Sequence, residues 1–151
     1  MEVRELNQLE EAPMHLLLLA DPSQSLNEEY LHKGHCYLGV EANDIVGVYI
    51  LLAQSSTTIE LVNLAVAQQF QNQGIGKQLI NHAIQVAKNN GYQTIEVGTG
   101  NSSIGQLALY QKCGFSIYAV DRDFFVKHYD EPIFENSIHC RDIIRLKQTL
   151  G

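Results

Sequence analysis

Cysteine, proline and basic side chains are all scarce in this chain and long apolar runs are missing, so several classes of protein fall away before any motif is considered. The three cysteines, Cys36, Cys113 and Cys140, are odd in number and follow no framework spacing. That excludes a secreted domain stapled by disulfides and predicts reduced thiols. Three prolines beside eleven glycines, with no repeat, exclude a low-complexity or disordered class. Ten Lys and Arg stand against seventeen Asp and Glu, a net charge of -7. A surface of that sign repels a phosphate backbone, so nucleic acid is excluded as a partner and a cationic or neutral one is favoured. Apolar runs such as Leu16 to Ala20 fall far short of the ~20 residues that cross a membrane, and no basic stretch precedes an apolar signal region. A cytoplasmic protein with no membrane partner is expected.

What remains is ordinary globular material, 45% hydrophobic and 18% charged over 151 residues. The expectation is one domain, 1–151, with one core. Val3 to Leu6 reads as a first strand. Glu11, Ala12 and Pro13 open a helix that buries Leu16, Leu17 and Leu19, and Leu26 to Leu31 form a second short helix. Cys36 to Glu41, Ile45 to Ala53 and Thr57 to Val66 read as an antiparallel meander, with Asn43 and Asp44 in its first turn. From Gly74 the period changes: Ile75, Leu79, Ala83 and Ala87 recur at helical spacing, and Gly91 caps the end. Thr94 to Val97 is a strand. Ser103 and Gln106 have the spacing of a capping box for a helix to Lys112, which Gly114 stops. Phe115 to Val120 and Cys140 to Leu146 are β-rich, with an irregular segment around Pro132 between them. This order predicts the α/β class, as a mixed α+β sheet.

The chemistry concentrates between strand and helix, in Leu64-Ala65-Val66-Ala67-Gln68-Gln69-Phe70-Gln71-Asn72-Gln73-Gly74-Ile75-Gly76-Lys77. Two glycines at a helix start let backbone N–H groups approach a ligand, and those free N–H groups with the helix dipole favour an anion such as a pyrophosphate. Lys77 adds a positive charge in the first turn. A lone Gly-x-Gly is equally the mark of a tight connection, and its spacing matches neither a Walker loop nor a dinucleotide fingerprint.

Gln71-x-x-Gly74-x-Gly76 after an apolar strand resembles the Gln/Arg-x-x-Gly-x-Gly/Ala motif of the GNAT N-acetyltransferases. Downstream, Leu109-Tyr110-Gln111-Lys112-Cys113-Gly114-Phe115 resembles that family's Leu-Tyr-x-Lys-x-Gly-Phe element. The resemblance implies a GNAT-type acyl-CoA N-acyltransferase fold, with antiparallel N-terminal strands, a central V-shaped strand splay and two main C-terminal helices. It implies acetyl-CoA as cosubstrate, its pyrophosphate wrapped by Gln71, Asn72, Gln73, Gly74, Ile75, Gly76 and Lys77. The pantetheine arm would take main-chain contacts from the strand at Leu64, Ala65 and Val66. Many members carry Asn seven residues before the tyrosine and Ala four before it. Here Ser103 and Gln106 stand in those places, Ser103 as a candidate for the helix cap and for the pantetheine.

Acetyl transfer from a thioester to an amine needs a neutral amine, a polarised carbonyl and a proton for the departing thiolate. By the same resemblance Tyr110 is the general acid, and a backbone N–H near Val66, on the strand that the family bulges, polarises the carbonyl. Glu60, fourteen residues before Gly74, is the candidate base, directly or through water. Its alternation with Ile59 and Leu61 fits a solvated strand face equally well. Burial in a cleft would raise its pKa.

The segment from Asp121 to Arg141 is the expected source of acceptor specificity. Asp121, Arg122, Asp123, Phe124, Phe125, His128, Tyr129, Glu131, Phe134 and Glu135 offer aromatic faces and carboxylates to a cationic amine, and a covering for the sheet edge is the alternative. His32, His35 and Cys36 lack the second cysteine pair of a zinc site, so no metal is expected. The expected acceptor is a primary amine of a small molecule or peptide, acetylated by direct attack in a ternary complex. An idle acyl-CoA-binding or regulatory domain on the same fold is the competing assignment. Exposed strand edges in the last third of the chain make a homodimer reasonable.

Overall fold

The computed structural model describes all residues, 1–151. Nine strands and five helices follow in the order β1 (Glu2–Glu5), α1 (Met14–Ala20), α2 (Gln24–Lys33), β2 (His35–Glu41), β3 (Asp44–Ala53), β4 (Thr58–Val66), α3 (Ile75–Asn89), β5 (Thr94–Gly100), α4 (Ile104–Lys112), β6 (Ser116–Asp121), α5 (Phe124–His128), β7 (Ile133–Glu135), β8 (Ile138–Cys140) and β9 (Ile143–Thr149). A single 3₁₀ turn, Gln68–Phe70, leads from β4 towards α3. Seven strands form one mixed sheet in the order β1-β2-β3-β4-β5-β9-β6, and β7 and β8 pair as a separate hairpin. The mixed α/β class expected from the element order is the one observed.

Every neighbouring pair in the large sheet is antiparallel except β4 with β5. That parallel pair is short, running from Thr58 opposite Thr94 to Leu61 opposite Val97. Beyond it Val62–Val66 remains paired with β3 while Gly98–Gly100 remains paired with β9, so the two strands diverge and open a V in the middle of the sheet. The register of β4 on β3 slips at the same place: Asn63 faces Ile50 and Leu61 faces Leu51, leaving Val62 as an extra residue. Such a bulge turns the side chains after it and bends the strand away from its neighbour, which here widens the V.

Two hydrophobic clusters, rather than the single core expected, flank the sheet. On one side α3 and α4 bury Ile75, Leu79, Ile80, Ala83, Ile84 and Tyr110 against Ile59, Leu61, Ile95, Val97 and Leu146. On the other, α1 brings Leu16 and Leu17 onto Leu38, Val48, Ile50 and Ala65. The α3 stripe is the 3.6-residue pattern legible in the sequence, and it ends where Gly91 takes a positive φ of 82°. Leu19 departs from expectation at 58% exposed. With Leu16 and Leu17 against the sheet, Leu19 falls on the flank of the stripe, roughly 110° round the helix from its centre, and faces the mouth of a cleft.

The segment around Pro132 is structured, not irregular. It holds α5 and a β7–β8 hairpin whose two-residue turn, Asn136 and Ser137, has positive φ at both positions, 55° and 62°. The first hairpin of the sheet turns in the same way at Ala42 and Asn43, one residue earlier than Asn43 and Asp44, because Asp44 already pairs with Glu41.

Candidate active site

The V between β4 and β5 opens into a cleft of about 1210 Å³ that passes from the α3/α4 side of the sheet to the α1/α2 side. Most of the residues singled out from sequence line it: Glu60, Leu64, Ala65, Val66, Gln71, Asn72, Gly74, Gly76, Lys77, Ser103 and Tyr110. Gln73 and Ile75 do not. Ile75 turns its side chain into the core at 7% exposure, so it can offer only its N–H, and Gln73 folds back to Gln69 O at 3.3 Å.

On the α3/α4 side the wall is backbone. Ala67 N–H bonds Val46 O on β3 at 2.8 Å. By the alternation of an antiparallel ladder, Ala65 also faces β3, while Leu64 and Val66 turn N–H and C=O towards the gap that β5 has vacated. Gln71 Nε2 takes the Val66 carbonyl at 3.0 Å and folds the loop across the strand end. Gly74 then adopts φ 83°, a left-handed conformation that costs a side-chain-bearing residue, and α3 begins. The first N–H groups of α3 have no partner within the helix and point at the cleft, and Lys77 stands exposed in that first turn. Gly76 keeps the wall thin: a Cβ there would lie 3.2 Å from Leu109 Cδ2 and 3.9 Å from Val66 Cγ2.

Tyr110 closes this half from below. It is 4% exposed, packs edge-on against Phe115 at 5.9 Å, and still contributes to the cleft lining. Burial pushes its pKa well above the ordinary phenol value, so the hydroxyl keeps its proton across the neutral range. Ser103 does not cap α4 as its spacing suggested. Its hydroxyl donates to Glu135 Oε1 at 2.6 Å, because the β7–β8 hairpin folds over the start of α4 and Asn136 Nδ2 reaches Ser102 O at 2.8 Å. That contact spans over thirty residues and leaves no mark on local sequence pattern.

On the α1/α2 side the lining is titratable and aromatic. Glu60 points into the cleft with no hydrogen-bond or ion-pair partner of its own. Burial raises its pKa above the usual carboxylate value, Arg145 works against the rise, and neighbouring Glu96 adds to it. Around it stand Asp21, Leu26, Glu29 and Tyr30 from the α1–α2 region, Phe124, Phe125 and Tyr129 from the α5 region, and Arg145 from β9. Tyr30 is pushed up to about 12, by burial first and then by Glu60, Asp21 and Glu29, with Arg145 opposing. Gly98 makes room for Arg145 to cross the floor, since a Cβ there would sit 3.0 Å from Ile143 Cγ2 and 3.6 Å from Arg145 Nη1. Asp21, Tyr30 and Arg145 carried no signal in sequence, because each comes from a different element. Of the 121–141 segment, Phe124, Phe125, Tyr129, Phe134 and Glu135 line the cleft. Asp123 instead pairs with Arg141 at 2.8 Å, and Asp121 with Arg145 at 3.3 Å.

The remaining candidates lie elsewhere. His35 Nδ1 bonds Glu5 at 3.0 Å, Cys36 is buried with its thiol pushed up to about 12, and Cys113 caps α4 with its backbone.

A splayed mixed sheet, a glycine loop feeding a helix N-terminus at the splay, and a carboxylate and a phenol on its two sides define an acyl-CoA-type transferase. Comparison with known proteins agrees. The acetyltransferase (GNAT) family model matches residues 3–115. Over 131 residues, 87% of this chain and 84% of the other, the sequence is 57% identical to the uncharacterized N-acetyltransferase YvbK of Bacillus subtilis. A GNAT family acetyltransferase from Elizabethkingia anophelis, solved with acetyl-CoA bound, superimposes with a TM-score of 0.97 at 47% identity, covering 99% of this chain and 97% of that one. A Bacillus subtilis acetyltransferase in complex with CoA gives 0.93 at 51%, covering 99% and 98%. The chain belongs to the GNAT acetyltransferase family, and it is an acyltransferase. No helix is long and apolar enough to cross a membrane.

Proposed function

We propose that this protein transfers the acetyl group of acetyl-CoA to a primary amine of a small molecule or peptide, by direct attack within a ternary complex. The observation that carries the proposal is Glu60: an unpaired carboxylate, largely withdrawn from water, on the same cleft that Tyr110 enters from the other side of the sheet. Two homologues bound to acetyl-CoA and CoA support the cosubstrate.

Acetyl-CoA enters from the α3/α4 side. Its pyrophosphate lies against the N–H groups of Gln71 to Lys77, where the α3 dipole and the Lys77 ammonium oppose its charge. The pantetheine amides pair with Leu64 and Val66 as a false strand in the V, with Ala65 between them held by β3 and offering no main-chain group, and Ser103 contributes from the start of α4 once released by Glu135. This threads the thioester between Glu60 and Tyr110. The amine arrives from the α1/α2 side as an ammonium, drawn by Glu29 and Glu60. Glu60 takes its proton, directly or through water, and a carboxylate whose pKa is raised towards neutrality does so with less of a thermodynamic deficit. The neutral nitrogen attacks the thioester carbon, and the carbonyl oxygen gains charge facing a backbone N–H near Val66. The C–S bond breaks, Tyr110 gives its proton to the sulfur, the second proton of the attacking nitrogen returns through water to the tyrosinate, and CoA and the neutral acetamide leave. Burial raises the phenol pKa, and the same dry surroundings raise the basicity of the thiolate it must protonate.

Calorimetric titration with acetyl-CoA, with ATP and NAD as controls, tests the first half. Saturable binding of acetyl-CoA alone is expected. Release of free CoA thiol across a panel of polyamines, amino acids, aminoglycosides and peptides tests the second. Folded protein that binds no acetyl-CoA, or that binds it and acetylates no amine of any class, would overturn the proposal.

A further inference from the structure

One chain of direct hydrogen bonds leaves the β4 bulge, crosses the α1–α2 region and ends in the cleft lining at the end of α5. Asn63, one residue past the bulge and 4% exposed, donates through Nδ2 to Leu17 O at 3.1 Å and to Asn27 Oδ1 at 2.8 Å. Asn27, fully buried on α2, donates through its own Nδ2 to Asp21 O at 3.0 Å. Asp21 ends α1, and its Oδ1 accepts from Ser23 N at 3.0 Å and from the Tyr129 hydroxyl at 2.8 Å. Four residues from three separate parts of the sequence, linked at Asp21 through both its main chain and its side chain, thus form one connected set.

Placement gives the set a meaning beyond stability. Asp21 and Tyr129 both line the acceptor half of the cleft, one from the α1–α2 connection and the other from the end of α5, so the bond where they meet joins the two parts of its lining. The α1–α2 connection bearing Asp21 is a short loop whose position depends on the Asn27 anchor, since Asn27 bonds its backbone directly. The α5 region is held by the tilted contact of the Phe125 and Tyr129 rings at 5.4 Å and by Phe125 N on Arg141 O at 2.9 Å. No other side-chain bond joins the α1–α2 region to α5. The bulge that opens the V for the thioester also carries the first member of the set, which ties the acceptor wall to the reacting centre.

We propose that Tyr129 is a specificity-determining positioning residue for acetyl transfer: through Asp21, and behind it Asn27 and Asn63, it sets the relative position of the two parts of the lining against which the amine must lie. This rests on the amine acetylation proposed above. Tyr129 takes no proton and makes no bond in the reaction, and its hydroxyl stays protonated because burial and the Asp21 bond both oppose ionisation. The Asp21 carboxylate acts here as a hydrogen-bond acceptor of fixed position rather than as a charge for the substrate.

The experiment is steady-state kinetics of Tyr129→Phe, Asp21→Ala, Asp21→Asn and the Tyr129→Phe/Asp21→Ala double variant, using the panel amine that the unaltered protein acetylates best. Tyr129→Phe is expected to raise KM for the amine about tenfold, the size of a lost hydrogen bond to a charged group. KM for acetyl-CoA should move less than twofold, and the larger share of the loss in kcat/KM should fall on KM. The double variant should be no worse than the single ones, as expected for two ends of one bond. Asp21→Asn keeps an oxygen for the Tyr129 hydroxyl and should recover most of the loss. If Asp21→Asn is as poor as Asp21→Ala, Asp21 acts by charge and the proposal falls. It falls equally if Tyr129→Phe leaves the amine KM unchanged, with amine acetylation then left standing. Should the unaltered protein acetylate no amine, both fall together.

Discussion

Glu60 on β4 stands directly beside Glu96 on β5, two carboxylates at one register position of the sheet's single parallel pair, and one residue further on the two strands part. The two differ in their partners. Glu96 accepts the Tyr118 hydroxyl at 2.9 Å, whereas Glu60 has no partner and faces the cleft. A like charge alongside and withdrawal from water both favour the neutral form of Glu60, and only Arg145 opposes them.

Glu60→Gln should therefore do two things with opposite signs. Loss of the base lowers kcat by roughly 10²- to 10⁴-fold, and the acid limb of the kcat/KM profile, along which activity rises with pH as Glu60 deprotonates, disappears. Stability moves the other way. A carboxyl whose folded pKa lies above its unfolded one binds its proton more tightly when folded, so stability falls as pH rises from the unfolded value through the folded one. The neutral amide escapes that penalty, so the variant should melt higher than the parent at pH 7 and equally at a pH below the unfolded carboxylate value. Thermal melts at both pH values beside the pH–rate profile check this, and a variant with full activity removes Glu60 as the base.

Tyr110→Phe separates proton donation from packing. The ring keeps its edge-on contact with Phe115, so the fold should persist, and the missing hydroxyl leaves the thiolate to depart unprotonated. Turnover should fall by roughly 10²-fold or more, with acetyl-CoA affinity in calorimetry nearly unchanged. A rate equal to the parent's with the same amine would remove Tyr110 as the acid.

The parts legible in the sequence were those written in short spacings. The α3 stripe, the Gly74 and Gly76 loop, and the strand ending at Val66 each declare themselves within a dozen residues, because a helical period and a backbone constraint are local. Ser103 misleads for the opposite reason: its spacing to Gln106 is that of a cap, but Glu135, 32 residues away, takes the hydroxyl. Order in the 121–141 segment likewise depends on distant partners, Tyr129 on Asp21 and Asn136 on Ser102. The bulge at Val62 is visible only when β4 is laid against β3, and the Asn27–Asn63 pair only when α2 is folded onto that bulge. The α3/α4 half of the cleft is mostly backbone following local rules, and the α1/α2 half is assembled from five elements.

Gly114, which closes the Leu109 to Phe115 block, has a physical reason to be glycine. Its φ is 99°, and a Cβ there would collide with Gln148 Nε2, the group that donates to Cys113 O at 3.3 Å. Gly114→Ala should cost about 1–3 kcal/mol from the backbone conformation alone, with further loss as Gln148 is displaced. For a chain of this size that lowers Tm by roughly 2–4 °C per kcal/mol. Because Phe115 N bonds Tyr110 O at 3.1 Å across this turn, kcat should drop as well. A melt unchanged within a degree would show that the turn accommodates the methyl group.

Gly74 and Gly91 form a matched pair for testing the loop. Each borders α3, one at either end, with φ of 83° and 82°, and at neither would a Cβ meet anything within 4 Å. Alanine at either position therefore suffers the same left-handed backbone and no clash, and both variants should lose a similar amount of stability, about 1 kcal/mol. Only Gly74 lines the cleft, where a methyl group beside the first N–H groups of α3 stands in the path of an approaching phosphate. Gly74→Ala should weaken acetyl-CoA binding about tenfold or more, while Gly91→Ala leaves it unchanged, a comparison that calorimetry makes directly. Equal acetyl-CoA affinities in two variants of equal stability would place the pyrophosphate away from the Gly74 backbone and remove the loop from the cofactor site.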